Sequence, residues 1–139
     1  MKLLKLRFLL IVAAILLVGA MTYRSVAGKV VTLGSAPDMA GAVAQSMYSG
    51  GGETQLPIPG KDFNLKNIRY FDDRKWVVAS VVPVDNKFDP GTTILKFESN
   101  LYRVVVAPTT NIPSSYAADL PKDLVSYLRS NRLIDEPGQ

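Results

Sequence analysis

The sequence predicts an α+β protein with an N-terminal transmembrane or signal helix, followed by a helix, a four-stranded antiparallel meander and a C-terminal helix packed on the sheet. The leading observation is an apolar stretch without charged residues at 8–23, directly behind three basic residues. A second observation is the change, from residue 63 onward, to β-branched and aromatic runs separated by short turns. A third is the amphipathic segment that starts near residue 121.

The apolar stretch predicts that residues 1–24 are a signal anchor or a signal peptide. Leucines at 3, 4 and 6 extend it to residues 3–23, about the 20 residues that cross a hydrocarbon layer of ~30 Å. The topogenic residues Lys2, Lys5 and Arg7 outnumber the two cations that follow closely, so the positive-inside bias keeps the N-terminus in the cytoplasm. We therefore expect a single-pass protein of the cytoplasmic membrane that contacts the lipid bilayer through residues 3–23, with its C-terminal domain outside.

The alternative is that the leader is cut off and the protein is secreted. Two small-residue patterns, Val18-Gly19-Ala20 and Ser25-Val26-Ala27, match the sites that a signal peptidase reads. Cleavage after either pattern releases a chain that begins at Met21 or Gly28. The chain contains no cysteine, so a lipidated-cysteine anchor is excluded.

Composition excludes several classes of function. The formal net charge of +4 falls to +1 without residues 1–21, because these hold three of the 16 basic residues and none of the 12 acidic ones. No basic surface therefore remains for nucleic acid. The chain has no histidine and no cysteine, so it lacks a histidine general base, a cysteine nucleophile and the common zinc, haem and iron–sulfur ligands. We expect no enzymatic activity, no cofactor, no metal site and no nucleic-acid partner.

Residues 25–60 are predicted to hold a juxtamembrane connector, a short helix and a Gly/Pro loop. Within the connector, Val30 and Val31 are expected to pair as a strand. The helix is expected to end at about Tyr48, before three consecutive glycines that disfavour regular structure. Its cap and first turn are supplied by Ser35, Pro37 and Asp38. Its core-facing side repeats every four residues, at Met39, Val43 and Met47.

Residues 61–134 are predicted to form a small extracytoplasmic α+β domain, ahead of a tail at 135–139. The connections between strands are too short for parallel crossovers, so an antiparallel meander is favoured. The segments Trp76–Ala79 and Val104–Val106 are apolar on both faces, which predicts central strands covered on one side by a helix. The expected strands are Phe63–Phe71, Trp76–Val82, Thr93–Phe97 and Leu101–Ala107. The side chains expected on the wetter face are Lys96, Glu98 and Arg103.

The last helix has well-marked ends. It is expected to begin at Pro121 and to stop at Asn131. Asp123 lies in its first turn and Arg129 in its last turn, where each charge complements the helix dipole. Its buried face is expected to comprise Leu120, Leu124, Tyr127 and Leu128.

Three segments carry a resemblance to known sequences: WVVASV at 76–81, LYRVVVAPT at 101–109 and LPKDLVSYL at 120–128. In these segments, within residues 60–134, the chain resembles a group of short bacterial proteins with an N-terminal hydrophobic segment and no established activity, encoded chiefly by small-genome candidate-phylum bacteria. Members tend to carry Pro-Gly-Thr where this chain has Pro108-Thr109-Thr110. The resemblance implies an exported α+β domain and assigns no functional residue.

Two features favour a role in binding a partner. Trp76 is the only tryptophan, and at a strand start it is either a core residue or an exposed anchor. The loop after residue 108 holds Thr109, Thr110 and Asn111, neutral groups that line sugar or peptide clefts and that also occur in ordinary loops. We therefore expect a non-catalytic envelope or protein-interaction module with an envelope protein as partner. The alternatives are a secreted ligand-binding or inhibitor protein and a small accessory subunit of a membrane complex.

The anchor hypothesis predicts the N-terminus of the mature protein. Mass spectrometry of the protein taken from membranes should find the chain starting at Met1, because an uncleaved leader is what holds it in the bilayer. A mature N-terminus at Met21 or Gly28 contradicts the anchor and supports the secreted alternative.

Overall fold

The computed structural model describes residues 33–51 and 55–135. The chain divides into two units, Met1–Val31 and Thr32–Gln139, and all described residues belong to the second unit. Within the described ranges, no helix is long and apolar enough to cross a membrane. Predictions that lie outside the described residues are the membrane segment at 3–23, the topogenic residues Lys2, Lys5 and Arg7, and the Val30–Val31 strand.

The described residues form a five-stranded antiparallel sheet with two α-helices, which confirms the α+β class. The elements in chain order are β1 (Ser35–Ala36), α1 (Met39–Gly51), β2 (Phe63–Phe71), β3 (Trp76–Pro83), β4 (Gly91–Glu98), β5 (Leu101–Thr109), a 3₁₀ helix (Ser114–Ala118) and α2 (Lys122–Ser130). The strand order in the sheet is β1-β5-β4-β3-β2. The four longer strands therefore pair in sequence order, as the meander prediction required.

The turns of the meander have the backbone conformations that short hairpins need. Ser99 and Asn100, between β4 and β5, both have positive φ, at 53° and 62°. Positive φ at both central residues is the mark of a type I′ turn, whose twist matches that of the flanking strands. The turn therefore sets the register in which Glu98 lies opposite Leu101.

A fifth strand, β1, adds to the sheet beside β5, so the predicted strand count of four was wrong. Ser35 lies opposite Arg103, and Ala36 lies opposite Tyr102. Two residues are too few to show the alternation by which a strand is read from sequence. The Ser35 N–H also donates a hydrogen bond to Gln45 Oε1 of α1, at 3.0 Å.

Helix α1 is capped by Asp38. The Asp38 Oδ1 accepts a hydrogen bond from the Gly41 N–H at 2.7 Å, which is the contact that an N-cap residue makes with the third helical residue. The expectation that the Ser35 hydroxyl caps this helix was wrong, because Ser35 lies in β1. The predicted core face is confirmed, since Val43 is buried and both Met39 and Met47 pack against its cluster.

Helices cover both faces of the sheet, whereas the sequence predicted a helix on one side only. The cluster on the α1 side joins Val43 to the strand residues Val77 and Leu95. The cluster on the α2 side joins Leu124 to Val78 and Ile94, among others. Because neighbouring strand residues point to opposite faces, α1 and α2 lie on opposite sides. Of the side chains expected on the wetter face, Glu98 and Arg103 are exposed and Lys96 is half-buried.

Gly34 is required where the chain enters β1 against α1. Its φ is +152°, and a Cβ at this position would overlap the Ala42 carbonyl oxygen and lie 2.8 Å from the Ser46 backbone nitrogen. Both atoms belong to the backbone of α1, so they cannot move aside as a side chain could. The close approach of this segment to α1 therefore depends on the absence of a side chain.

Gly34→Ala should accordingly destabilise the domain by about 1–3 kcal/mol, because it forces a methyl group into filled space. Gly60→Ala is the matched control, since Gly60 also has a positive φ of +82° but has no atom within 4 Å of an added Cβ. Urea unfolding of the full-length chain in detergent, followed by the fluorescence of Trp76, measures both losses. Equal losses would contradict the close packing of residue 34 on α1.

Candidate functional site

A groove of about 670 Å³ lies on the α2 side of the sheet, between β2 and the C-terminal end of α2. Six of its nine lining residues carry hydrogen-bonding side chains. The lining residues are Asn67, Ile68 and Arg69 from β2, Val78, Ser80 and Thr92 from β3 and β4, and Tyr127, Asn131 and Leu133 from α2 and the segment after it. We call this site the β2–α2 groove.

The floor of the groove is built by the register of β3 and β4. Val78 and Ser80 are two residues apart, so their side chains point to the same face. Ser80 lies opposite Thr92, and Val78 lies opposite Ile94. The apolar pair belongs to the cluster beneath α2, and the hydroxyl pair lies one step further along the strands. The face therefore changes from apolar to polar where the groove begins.

A β-bulge in β2 builds one wall. Lys66 lies opposite Ser80 and Arg69 lies opposite Val78, so β2 advances three residues while β3 advances two. Asn67 takes up the extra length with φ at 51°, a left-handed conformation that asparagine tolerates better than most residues. Its Nδ2 donates a hydrogen bond to Ser80 Oγ at 3.4 Å. The bulge turns Arg69 onto the α2 face, where an uninterrupted strand would have placed Ile68.

The other wall is an aromatic side chain near the end of α2. The Tyr127 ring lies 5.4 Å from the Phe71 ring, centroid to centroid. The Arg69 guanidinium lies over the same Tyr127 ring, 5.2 Å from its centroid. Asn131 closes the helix, and its Nδ2 donates a hydrogen bond to the Tyr127 carbonyl oxygen at 2.8 Å. Tyr127 is thus packed against β2 and itself supports Arg69.

Among the described residues that line the groove, Arg69 is the only charged one. It forms no ion pair with any carboxylate in the described part of the chain, where the pairs join other residues. None of the described residues that line the groove is an Asp, a Glu or a Lys, and Lys66, which lies opposite Ser80 in the sheet, is exposed outside the lining. The arrangement suits recognition of a ligand by hydrogen bonds and one positive charge.

The structure places Trp76, which was predicted to be either a core residue or an exposed anchor, at the edge of the core on the α2 side. The ring is half-buried and packs against the α2 cluster, and the Lys96 ammonium lies 5.7 Å from its centroid. Trp76 pairs with Lys96, whereas Thr109 pairs with Thr92, four residues back along β4. Trp76 and the loop after residue 108 therefore lie towards opposite ends of the sheet. The structure does not bring them together in one site.

The loop after residue 108 is tied to the segment that comes after α2. The Thr109 hydroxyl donates to the Asn111 carbonyl oxygen at 2.9 Å and accepts from the Asn111 N–H at 3.3 Å. The Asn111 side-chain amide donates to Asp135 Oδ1. The Ile112 N–H donates to the Leu133 carbonyl oxygen at 2.9 Å. Thr109 and Asn111 thus make internal contacts, while Thr110 is exposed, and their role in binding a partner stays a prediction.

The acidic loop between β3 and β4 is organised by an ion pair. The Lys87 ammonium lies 2.8 Å from Asp85 Oδ2. This hydrogen bond, followed by the smaller effect of its charge, holds the pKa of the Asp85 carboxyl below its ordinary value. Among the described residues, no three His, Cys, Asp or Glu side chains gather into a set that could hold a metal ion.

The groove residues were missed at the sequence level. Their approach depends on the bulge at 66–69 and on the register of β2 against β3, neither of which can be read from alternation along one strand. One signal was present, because Asn67 interrupts a run of strand-forming residues and asparagine favours left-handed backbone. That signal indicates a bulge but does not tell which side chains the bulge brings together.

The hydrogen bond between Asn111 and Asp135 predicts that substitutions at 111 and 110 lower the free energy of unfolding by different amounts. Asn111→Ala should lower the free energy of unfolding by about 1 kcal/mol, because it removes the hydrogen bond to Asp135. Thr110→Ala, one position away and exposed, should change it by less than about 0.5 kcal/mol. Urea unfolding measures both variants. A neutral Asn111→Ala would show that the loop does not secure the segment after α2.

Comparison with known proteins finds no family model that matches the chain, no matching curated protein and no matching solved structure.

Proposed function

We propose that the chain is a membrane-anchored, extracytoplasmic and non-catalytic interaction module of the cell envelope. The observation that carries the proposal is the N-terminal pattern in which Lys2, Lys5 and Arg7 precede the charge-free apolar stretch at 8–23. Such a pattern directs a chain to a membrane and leaves the rest of the polypeptide on the far side. The proposed binding face of the exported domain is the β2–α2 groove.

The chemistry of the groove supports recognition over catalysis. Its polar groups are amides, hydroxyls and one guanidinium, and none of the described lining residues is a His, Asp, Glu or Lys. Within the part of the chain that the structure describes, the buried polar residues are Ser46, Thr92 and Thr93, and none of them is ionisable. Catalytic residues are commonly ionisable groups whose ionisation is shifted by burial together with a charged partner. The hydrogen-bonding groups and the guanidinium of the groove therefore support a role in ligand binding.

A secreted ligand-binding protein is the second candidate. The observation in its favour is the pair of small-residue patterns at 18–20 and 25–27, after which a peptidase would release the domain. The groove would serve the same purpose in that case. The anchored module and the secreted protein differ in whether the domain is attached to the membrane. Both place the domain outside the cytoplasm.

Single-cysteine labelling tests the proposed topology, because the chain has no cysteine of its own. Asp89→Cys puts a thiol in an exposed loop of the domain. In intact cells a membrane-impermeant maleimide should label this variant. A variant with one cysteine in a short extension before Met1 is the matched control, and it should react only after the membrane is permeabilised. Labelling of the control but not of the Asp89→Cys variant in intact cells would contradict the proposal.

A further inference from the structure

We infer that the β2–α2 groove binds a carboxylate, which Arg69 grips while the neutral groups of the groove hydrogen-bond the rest of the ligand. The inference rests on the proposed function and deepens it by naming the chemistry of the ligand that the module binds. The fitting ligand is a monoanion with a neutral, hydrogen-bonding body, and the C-terminal end of a peptide has this composition. Three features of the groove support it: the position of Arg69, the single charge and the neutral lining.

Arg69 is pre-organised for binding. Its guanidinium lies over the Tyr127 ring, 5.2 Å from the centroid, and the Tyr127 ring contacts the Phe71 ring at 5.4 Å, so the guanidinium has an aromatic support. A guanidinium that contacts an aromatic ring makes no hydrogen bond there, so its paired N–H donors are left for the two oxygens of a carboxylate. A side chain already held in place loses less conformational freedom when the ligand arrives.

The charge of the groove selects a monoanion. No described carboxylate pairs with Arg69, so a ligand has no internal competitor among those residues. A carboxylate is matched by one guanidinium in a bidentate pair. A phosphate carries up to two negative charges and more acceptor oxygens, and it is usually held by several cations or by a helix N-terminus. The described residues that line this groove include one cation, Arg69.

The remaining lining suits the body of such a ligand. A volume of about 670 Å³ is much larger than a carboxylate group needs, and it falls within the range of ordinary ligand sites. Ser80, Thr92 and Asn67 offer both donors and acceptors, which are what peptide N–H and C=O groups require. Ile68 and Leu133 supply apolar contacts at the walls. The groove can therefore hold a carboxylate together with the neutral polar chain that bears it.

A matched pair of peptides tests this inference on the purified full-length chain in detergent. The probes are N-acetyl-Ala-Ser-Ala with a free C-terminal carboxylate and the same peptide with a C-terminal amide. Titration calorimetry should show the acid binding at least about tenfold more tightly than the amide, because charged hydrogen bonds exceed neutral ones by that order. Saturation by neither peptide at millimolar concentrations, or equal binding of both, overturns the inference.

Variants of two arginines locate the effect. Arg69→Gln should weaken binding of the acid by about tenfold or more and leave the amide unchanged, and Arg69→Lys should keep only part of the preference for the acid. Arg74→Gln is the matched control, because Arg74 is also exposed and its guanidinium also lies over a tyrosine ring, 5.6 Å from the Tyr70 centroid, outside the groove. A loss of acid binding in Arg74→Gln equal to that in Arg69→Gln overturns the inference.

Two simple anions identify the source of the carboxylate. Acetate that displaces the acid peptide with comparable affinity indicates that a free small carboxylate is sufficient, and a much weaker effect of acetate indicates that the peptide body is required. Either result supports the inference. Inorganic phosphate binding more tightly than the acid peptide overturns it. All these binding measurements use purified protein, so a negative result does not contradict the proposed membrane topology. In the same way, a labelling result that contradicts the topology does not change the binding measurements.

Discussion

The inner strands β3, β4 and β5 carry apolar side chains towards both faces of the sheet, and this constraint requires a helix on each face. Val77 and Val78 belong to different clusters, one under α1 and one under α2. A helix of nine residues is about 14 Å long, whereas a strand of eight residues is about 27 Å long. Helix α2 therefore cannot cover its face from end to end, and the β2–α2 groove lies where its cover stops.

The bulge in β2 gives the uncovered region its chemistry. In an unbroken strand Ile68 would follow Lys66 on the α2 face, and Arg69 would point away. The extra residue, taken up by Asn67, moves Arg69 into the position opposite Val78 and over Tyr127, while Ile68 still borders the groove. Bulges are frequent beside binding sites because they redirect one side chain without changing the remainder of the sheet. The guanidinium of the groove is thus positioned by a local irregularity of the backbone and by the aromatic contact between Phe71 of β2 and Tyr127 of α2.

Most of the architecture could be predicted from the sequence, since its signals are local. The bounds of β2 were predicted correctly, and α2 was predicted to within a residue, because strand-forming runs, turn residues and Asn131 all act over short distances. The strand β1 could not be predicted, because two residues show no period. Coverage of both faces and the groove itself could not be predicted, because they depend on strand register. The register places Arg69 opposite Val78 and Ser80 opposite Thr92. The cap of α1 was misassigned for a related reason, because pairing with β5 takes Ser35 into the sheet.

Photo-crosslinking in living cells tests most directly whether an anchored domain uses this groove. A photoreactive residue replaces Ile68, exposed on the groove wall, and in a second strain it replaces Val84, also exposed but outside the groove. The membrane fraction should contain an adduct at position 68 that is lost when Arg69→Gln is added, and none at position 84. Two results would contradict a membrane-anchored module that binds through its β2–α2 groove. One is an adduct at position 68 that persists in the Arg69→Gln variant. The other is full-length protein recovered from the cytosol without an adduct.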